Sequence, residues 1–158
     1  MRAQHPAILA GVLYSGVFDL WLERFSTGTW TERAATDFLL SEGRGCLMHD
    51  GYLAGHPADD PLVSPVLADL GHLPSLFLQV FSAERLLDDS LILANRAARA
   101  GAHVELEVWP RMFHAWQVAA GFLPEASAAF IRRAAEGKIV DGVALAGGSE
   151  SVDEVISG

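Results

Sequence analysis

Two short segments carry residue types that together could move a proton. Ser82-Ala83-Glu84-Arg85 ends one apolar run, and Pro110-Arg111-Met112-Phe113-His114 ends another. A carboxylate that accepts the imidazole Nδ1–H fixes the tautomer and stabilises the imidazolium, which leaves Nε2 to take a proton from a hydroxyl nucleophile. Glu84 and His114 are the candidate acid and base of such a relay. Asp88 and Asp89 are rival acids, but they lie a turn further along a helical pattern, where carboxylates serve as partners of the helix dipole. Trp109, Met112, Phe113 and Trp116 surround His114 in sequence and either line an acyl pocket or form plain core. His5, His49, His56, His72 and His103 have no carboxylate or histidine partner at metal-ligand spacing, so neither a metal nor a cofactor is expected.

The elements that must position Glu84 and His114 follow from the hydrophobic pattern. Ala7 to Tyr14 is a continuous apolar run ended by Ser15-Gly16, as suits a strand buried on both faces of a parallel sheet. Ser75 to Phe81 reads as a second strand, and His103 to Trp109, stopped by Pro110, as a third. Between the last two, Leu87, Leu91, Ala94 and Ala98 recur at helical spacing over Arg85 to Ala100, with Gly101 as the stop. Phe122 to Glu136 reads as a closing helix with Pro124 in its first turn. Residues 17 to 56 form a helical excursion with loops, in which Thr31 to Leu40 has helical spacing. Asp59 to Pro65 is an ordered turn. Strand, helix, strand, helix in this order predicts an α/β fold with a parallel three-stranded sheet and flanking helices. In such sheets ligands bind beyond the carboxyl ends of the strands, where the segments starting near Ser15, Ser82 and Pro110 converge.

Composition narrows the function classes. The 158 residues suffice for one domain, expected over 1–136, followed by a Gly/Ser/acid-rich mobile tail over 137–158. A net charge of −9 excludes nucleic acid as a partner, because phosphate neutralisation by Lys and Arg supplies most of that affinity. Cys46 is the single cysteine, which rules out an internal disulfide and fits a reducing compartment. With no apolar stretch near the length of a membrane span and no cleavable leader pattern after Met1, the expectation is a cytoplasmic protein without a membrane span.

Four blocks then carry a family resemblance. They are Leu13-Tyr14-Ser15-Gly16-Val17-Phe18-Asp19-Leu20; Asp60-Pro61-Leu62-Val63-Ser64-Pro65-Val66-Leu67-Ala68-Asp69-Leu70; Ser82-Ala83-Glu84-Arg85-Leu86-Leu87-Asp88-Asp89-Ser90; and Val104-Glu105-Leu106-Glu107-Val108-Trp109-Pro110-Arg111-Met112-Phe113-His114-Ala115-Trp116. From about Ala7 to Ala135 the chain resembles the C-terminal part of the hormone-sensitive-lipase-like carboxylesterases, the α/β-hydrolase fold-3 group. The resemblance implies a partial α/β-hydrolase fold that cleaves small carboxylic esters through an acyl-serine. It places the triad acid on Glu84 and the base on His114, and it makes Ser15 structural. The H-G-G-G oxyanion segment and the G-x-S-x-G nucleophile elbow of that family are missing, so the chain alone is expected to be inactive. Phe81 and Arg111 stand where the family usually has glycine.

A first strand without its usual neighbour would leave an open apolar edge, to be covered by a separately made N-terminal half or by self-association, or else to aggregate. Two other readings differ in class. A non-catalytic binding or assembly module derived from the same fold would have no need of Glu84 and His114 together. A nucleotide-binding doubly wound domain needs a glycine-rich turn after its first strand, which Ser15-Gly16-Val17-Phe18 does not supply.

Overall fold

The computed structural model describes residue 8 and residues 10–41 and 43–135 of the chain. The expected tail over 137–158 and the first residues of the expected first strand lie outside the described residues, apart from Ile8. Strands β1 (Ala10–Tyr14), β2 (Ser75–Phe81) and β3 (Val104–Trp109) form one sheet in the order β1-β2-β3. Both pairings are parallel. Ala10 lies opposite Ser75, and Leu76 lies opposite Val104. The central strand is buried on both faces from Leu76 to Phe81, the environment that its unbroken apolar pattern anticipated.

Alternation along β2 divides the interior into two layers. Leu76 and Leu78 face a cluster with Phe18, Val66, Leu70, Leu93, Ala94 and Ala97. Phe81 points to the opposite face, where it packs with Trp116 and Ala126. The first layer is closed by helix α3 (Leu87–Arg99), the second by a 3-10 turn (Trp116–Ala119) and helix α4 (Pro124–Ala135).

Helix α3 is rotated relative to the expected stripe. Leu91 is exposed, as is Ala98, whereas Leu87, Ser90, Leu93, Ala94 and Ala97 are buried. The cause lies in its first turn. Asp89 is 1% exposed and its carboxylate accepts the backbone N–H groups of Phe18 and Asp19 and an Arg24 guanidinium N–H at 2.6 Å. Asp88 accepts the N–H of Thr29. These carboxylates do occupy the first turn of a helix, but they also stitch it to the segment that follows β1.

The excursion differs in detail from its pattern. Helix α1 (Gly28–Glu32) is short, and the expected helix over Thr31 to Leu40 gives way to turns after Glu32. Asp37 explains the break, because its carboxylate accepts the N–H groups of Leu39 and Leu40 locally and that of Arg85 from the turn after β2. Such side-chain bonds compete with helix continuation. Helix α2 (Gly43–Leu53) follows, with Gly45 close to Phe25. A Cβ at Gly45 would stand 2.9 Å from the Phe25 ring, so the close approach requires glycine.

Burial raises the pKa of Asp89, and its bonds to Arg24, Phe18 and Asp19 offset this only in part. A carboxyl whose folded pKa exceeds its unfolded value of about 3.9 favours the folded state at low pH, and that contribution is lost as pH rises through the folded value. Asp89→Asn cannot titrate, so its stability deficit against the wild type is expected to be largest near pH 4 and to narrow at higher pH. Urea unfolding over a pH series measures it; a deficit that grew with pH would contradict the assignment.

Candidate active site

Glu84 sits in the turn that follows β2, with its N–H bonded to the carbonyl of Phe81, and its side chain is completely buried. One carboxylate oxygen, Oε2, accepts the hydroxyl of Ser15 at 2.8 Å and the backbone N–H of Phe81 at 3.2 Å. The other, Oε1, faces His114 Nδ1 at 3.7 Å. Both of these facing atoms are buried and neither has a hydrogen-bond partner among the described residues. The separation exceeds a hydrogen bond and falls within ion-pair reach. Approach by well under 1 Å would give the acid–imidazole hydrogen bond of a proton relay, and such bonds commonly tighten only when substrate is bound.

His114 is about one-fifth exposed, so its ring spans the boundary between the buried carboxylate and solvent. The segment after β3 that carries it is tightly bent. Arg111 and Ala115 both take left-handed backbone conformations, with φ of 57° and 55°. At Arg111, where the resembled family usually has glycine, this conformation is strained for a side chain with a Cβ.

Ser15 joins the two halves of the site. It follows β1 directly, with φ of 46°, and its N–H bonds to the carbonyl of Gln79 on β2. Its hydroxyl donates to Glu84 and accepts the N–H of Ala115 at 3.3 Å, the residue next to His114. These two bonds make Ser15 a bridge between the turn that carries Glu84 and the segment that carries His114. The sequence marked it as structural without showing what it holds, because its partners are 69 and 100 residues away.

The excursion buttresses the acid turn from outside. Thr36 Oγ1 donates to the carbonyl of Ala83, Thr29 Oγ1 to that of Arg85, and Arg85 Nη1 to that of Trp30. The Arg85 guanidinium also lies over the Trp30 ring at 5.2 Å from its centroid, an attractive cation–π geometry. None of these partners was legible in the sequence, because Thr and Arg carry no positional signal at such separations.

Of the aromatic residues near His114, Trp116 is fully buried and packs against Trp109 with the rings tilted by 44° and their centroids 5.8 Å apart, so it is core. Phe113 is half-buried and meets the exposed Phe38 at 6.4 Å. A cavity of about 350 Å³ lies elsewhere, lined by Val17, Leu20, Tyr52, Leu62, Val63 and Pro65. Two of the remaining histidines have carboxylate neighbours: His49 pairs with the adjacent Asp50 at 2.9 Å and His56 with Asp60 at 2.7 Å. Both pairs are at the surface. The Leu62 N–H, and next to it His56, hold the Asp60 carboxyl below its usual range. Among the described residues no three His, Cys, Asp or Glu side chains cluster as metal ligands, and no helix is long and apolar enough to cross a membrane.

Parallel strands with a buried acid after one and a histidine after its neighbour match a known architecture. A family model described as the alpha/beta hydrolase fold matches residues 1–118. The chain belongs to the α/β-hydrolase fold family. Within it, the chain is 41% identical over 120 residues to an acetyl-hydrolase of Streptomyces hygroscopicus, covering 76% of this chain and 39% of that protein. It is 44% identical over 54 residues to the esterase LipU of Mycobacterium tuberculosis. Two solved structures, a hormone-sensitive lipase from a metagenome library and an esterase of the bacterial hormone-sensitive lipase family, superpose with TM-scores of 0.74 and 0.75 at 36% and 38% identity. Each superposition covers 82% of this chain and 42% of the solved one. This hydrolase-fold chain thus spans about two-fifths of the length of these longer relatives.

Two substitutions probe the site's construction. Ser15→Ala deprives Glu84 Oε2 and Ala115 N–H of a partner in one step and is expected to cost about 1–3 kcal/mol in urea unfolding. Arg111→Gly relieves the left-handed strain at the entropic cost of a glycine, for an expected net gain of about 0.5–1 kcal/mol by the same measurement.

Proposed function

We propose that this chain supplies the acid and base of a serine-dependent carboxylic ester hydrolase, with Glu84 as acid and His114 as base. The observation that carries the reading is the facing pair of buried, otherwise unpartnered atoms, Glu84 Oε1 and His114 Nδ1, at 3.7 Å. A buried carboxylate oxygen and a buried ring nitrogen left without other partners are costly unless they serve each other. Esterases and an acetyl-hydrolase among the relatives, and esterase structures among the neighbours, support the substrate class.

In this mechanism a serine hydroxyl attacks the ester carbonyl carbon and gives its proton to His114 Nε2. The Glu84 carboxylate stabilises the resulting imidazolium through Nδ1–H. Collapse of the tetrahedral adduct expels the alcohol, which takes the proton from Nε2, and leaves the acyl group on the serine. Water then repeats the sequence and releases the acid. The nucleophile and the oxyanion donors come from a segment with the H-G-G-G and G-x-S-x-G patterns, neither of which this sequence contains. The isolated chain is therefore inactive in this reading.

The same reading assigns a partner. Strand β1 pairs with β2 on one side, and among the described residues no strand lies along its other side. Its five residues are all half-buried, and Ile8 just before it is 76% exposed. A half carrying the nucleophile would pair there, and self-association is the competing way to cover the edge. A cytoplasmic location, consistent with the single cysteine, completes the proposal. A binding module without catalysis is disfavoured because it would not need the buried acid–histidine pair.

Hydrolysis of p-nitrophenyl butyrate is expected only when the chain is combined with a half bearing the nucleophile. His114→Ala is then expected to lower the rate by about 10²–10⁴-fold, the usual worth of a general base. Turnover by the purified chain alone that His114→Ala abolishes would overturn the account of the missing nucleophile.

A further inference from the structure

Beneath the site a second set of buried polar side chains runs across the sheet, and the relay does not use it. Gln117, in the 3-10 turn three residues after His114, donates its amide N–H to Gln79 Oε1 at 3.1 Å. Gln79, on the central strand, donates in turn to Glu107 Oε2 on β3 at 3.0 Å. Trp109 Nε1 donates to the same Glu107 oxygen at 2.9 Å. Gln79 and Gln117 are 1% and 2% exposed, in a layer otherwise filled by Phe81, Trp116 and Ala126.

We propose that Gln79 and Gln117 are positioning residues that set the placement of His114 against Glu84. Gln79 reaches both members of the pair. Its backbone carbonyl accepts the N–H of Ser15, whose hydroxyl holds Glu84, and its side chain holds the turn that follows His114. The segment from Pro110 to Ala115 lacks regular structure and contains two left-handed residues; the Ala115 N–H bond to Ser15 holds it directly after His114, and the Gln117–Gln79 bond holds it two residues further on. Directional bonds add to the packing of the buried Trp116 in fixing that point, because they specify a partner and an angle as well as a contact. Stability does not explain the arrangement. Gln117 Oε1 is buried without a partner among the described residues, a defect that an apolar pair of the same volume would not have.

This inference rests on the relay reading of Glu84 and His114, and the test separates the two. The readout is the tautomer of the neutral His114 imidazole in the ¹⁵N-labelled 158-residue chain, followed by two-bond ¹H–¹⁵N spectra alongside the melting temperature. In the wild type the Nδ1–H tautomer predominates, and Glu84→Gln shifts the population toward Nε2–H. The double variant Gln79→Leu/Gln117→Leu, which removes both amides and keeps their volume, is expected to lower the Nδ1–H to Nε2–H ratio by about threefold or more with little change in melting temperature. Should the double variant not fold, Gln117→Met alone carries the same expectation. A variant with the wild-type tautomer ratio, while Glu84→Gln shifts it, overturns the positioning role and leaves the relay standing. If Glu84→Gln itself leaves the ratio unchanged, the relay reading falls and this inference with it.

Discussion

A carboxylate sealed from water must find all its partners inside the protein, and Glu84 is sealed completely. Its environment is assembled from all three strands: Ser15 at the end of β1, the Phe81 N–H at the end of β2, and His114 beyond β3. That requirement constrains the sheet. A slip of one residue in either parallel pairing would move these groups to the wrong face and strand the charge. In the observed register Phe81 lies opposite Trp109, so β2 and β3 end level, while β1 stops at Tyr14 opposite Gln79 and Ser15 follows it towards Glu84.

The segment between β1 and β2 is tied to the rest of the fold by apolar packing of Phe18, Val66, Leu70, Trp30 and Leu40 and by a set of polar contacts. Arg24 with Asp89, Asp37 with the Arg85 N–H, and Thr29 and Thr36 with carbonyls of the acid turn are all bonds between residues far apart in the chain. A buried ion pair such as Arg24–Asp89 adds little net stability, because desolvation consumes most of the Coulombic gain, but breaking one partner is costly. Its consequence here is geometric. It sets the rotation of α3 and holds the Phe18 segment just beyond Ser15, so the polar scaffold outside the site and the brace inside it belong to one connected structure.

The edge of β1 shows the same economy from the opposite side. A strand with an unpaired edge presents a row of free backbone donors and acceptors, which favours pairing with another chain. The relatives are more than twice as long as the stretch they share with this chain, and the five residues of β1 are half-buried where those of β2 from Leu76 onward are buried.

Much of this was legible in the residues themselves. Continuous apolar runs marked the first two strands, alternation up to Pro110 marked the third, and the strand–helix–strand order implied their parallel pairing. The order of strands and helices, with the turns after β2 and β3, put Glu84 and His114 at one end of the sheet. What only the tertiary structure decided were contacts between residues with no local signal: the Ser15 brace, the Asp37 break in a helical pattern, the inward turn of Asp89 and the Gln79–Gln117 bond. Hydrophobic periodicity is a property of neighbours along the chain, and it survives in one dimension. A buried polar group is satisfied by whichever residue the fold brings within about 3 Å, and that partner is specified only once the chain has closed on itself.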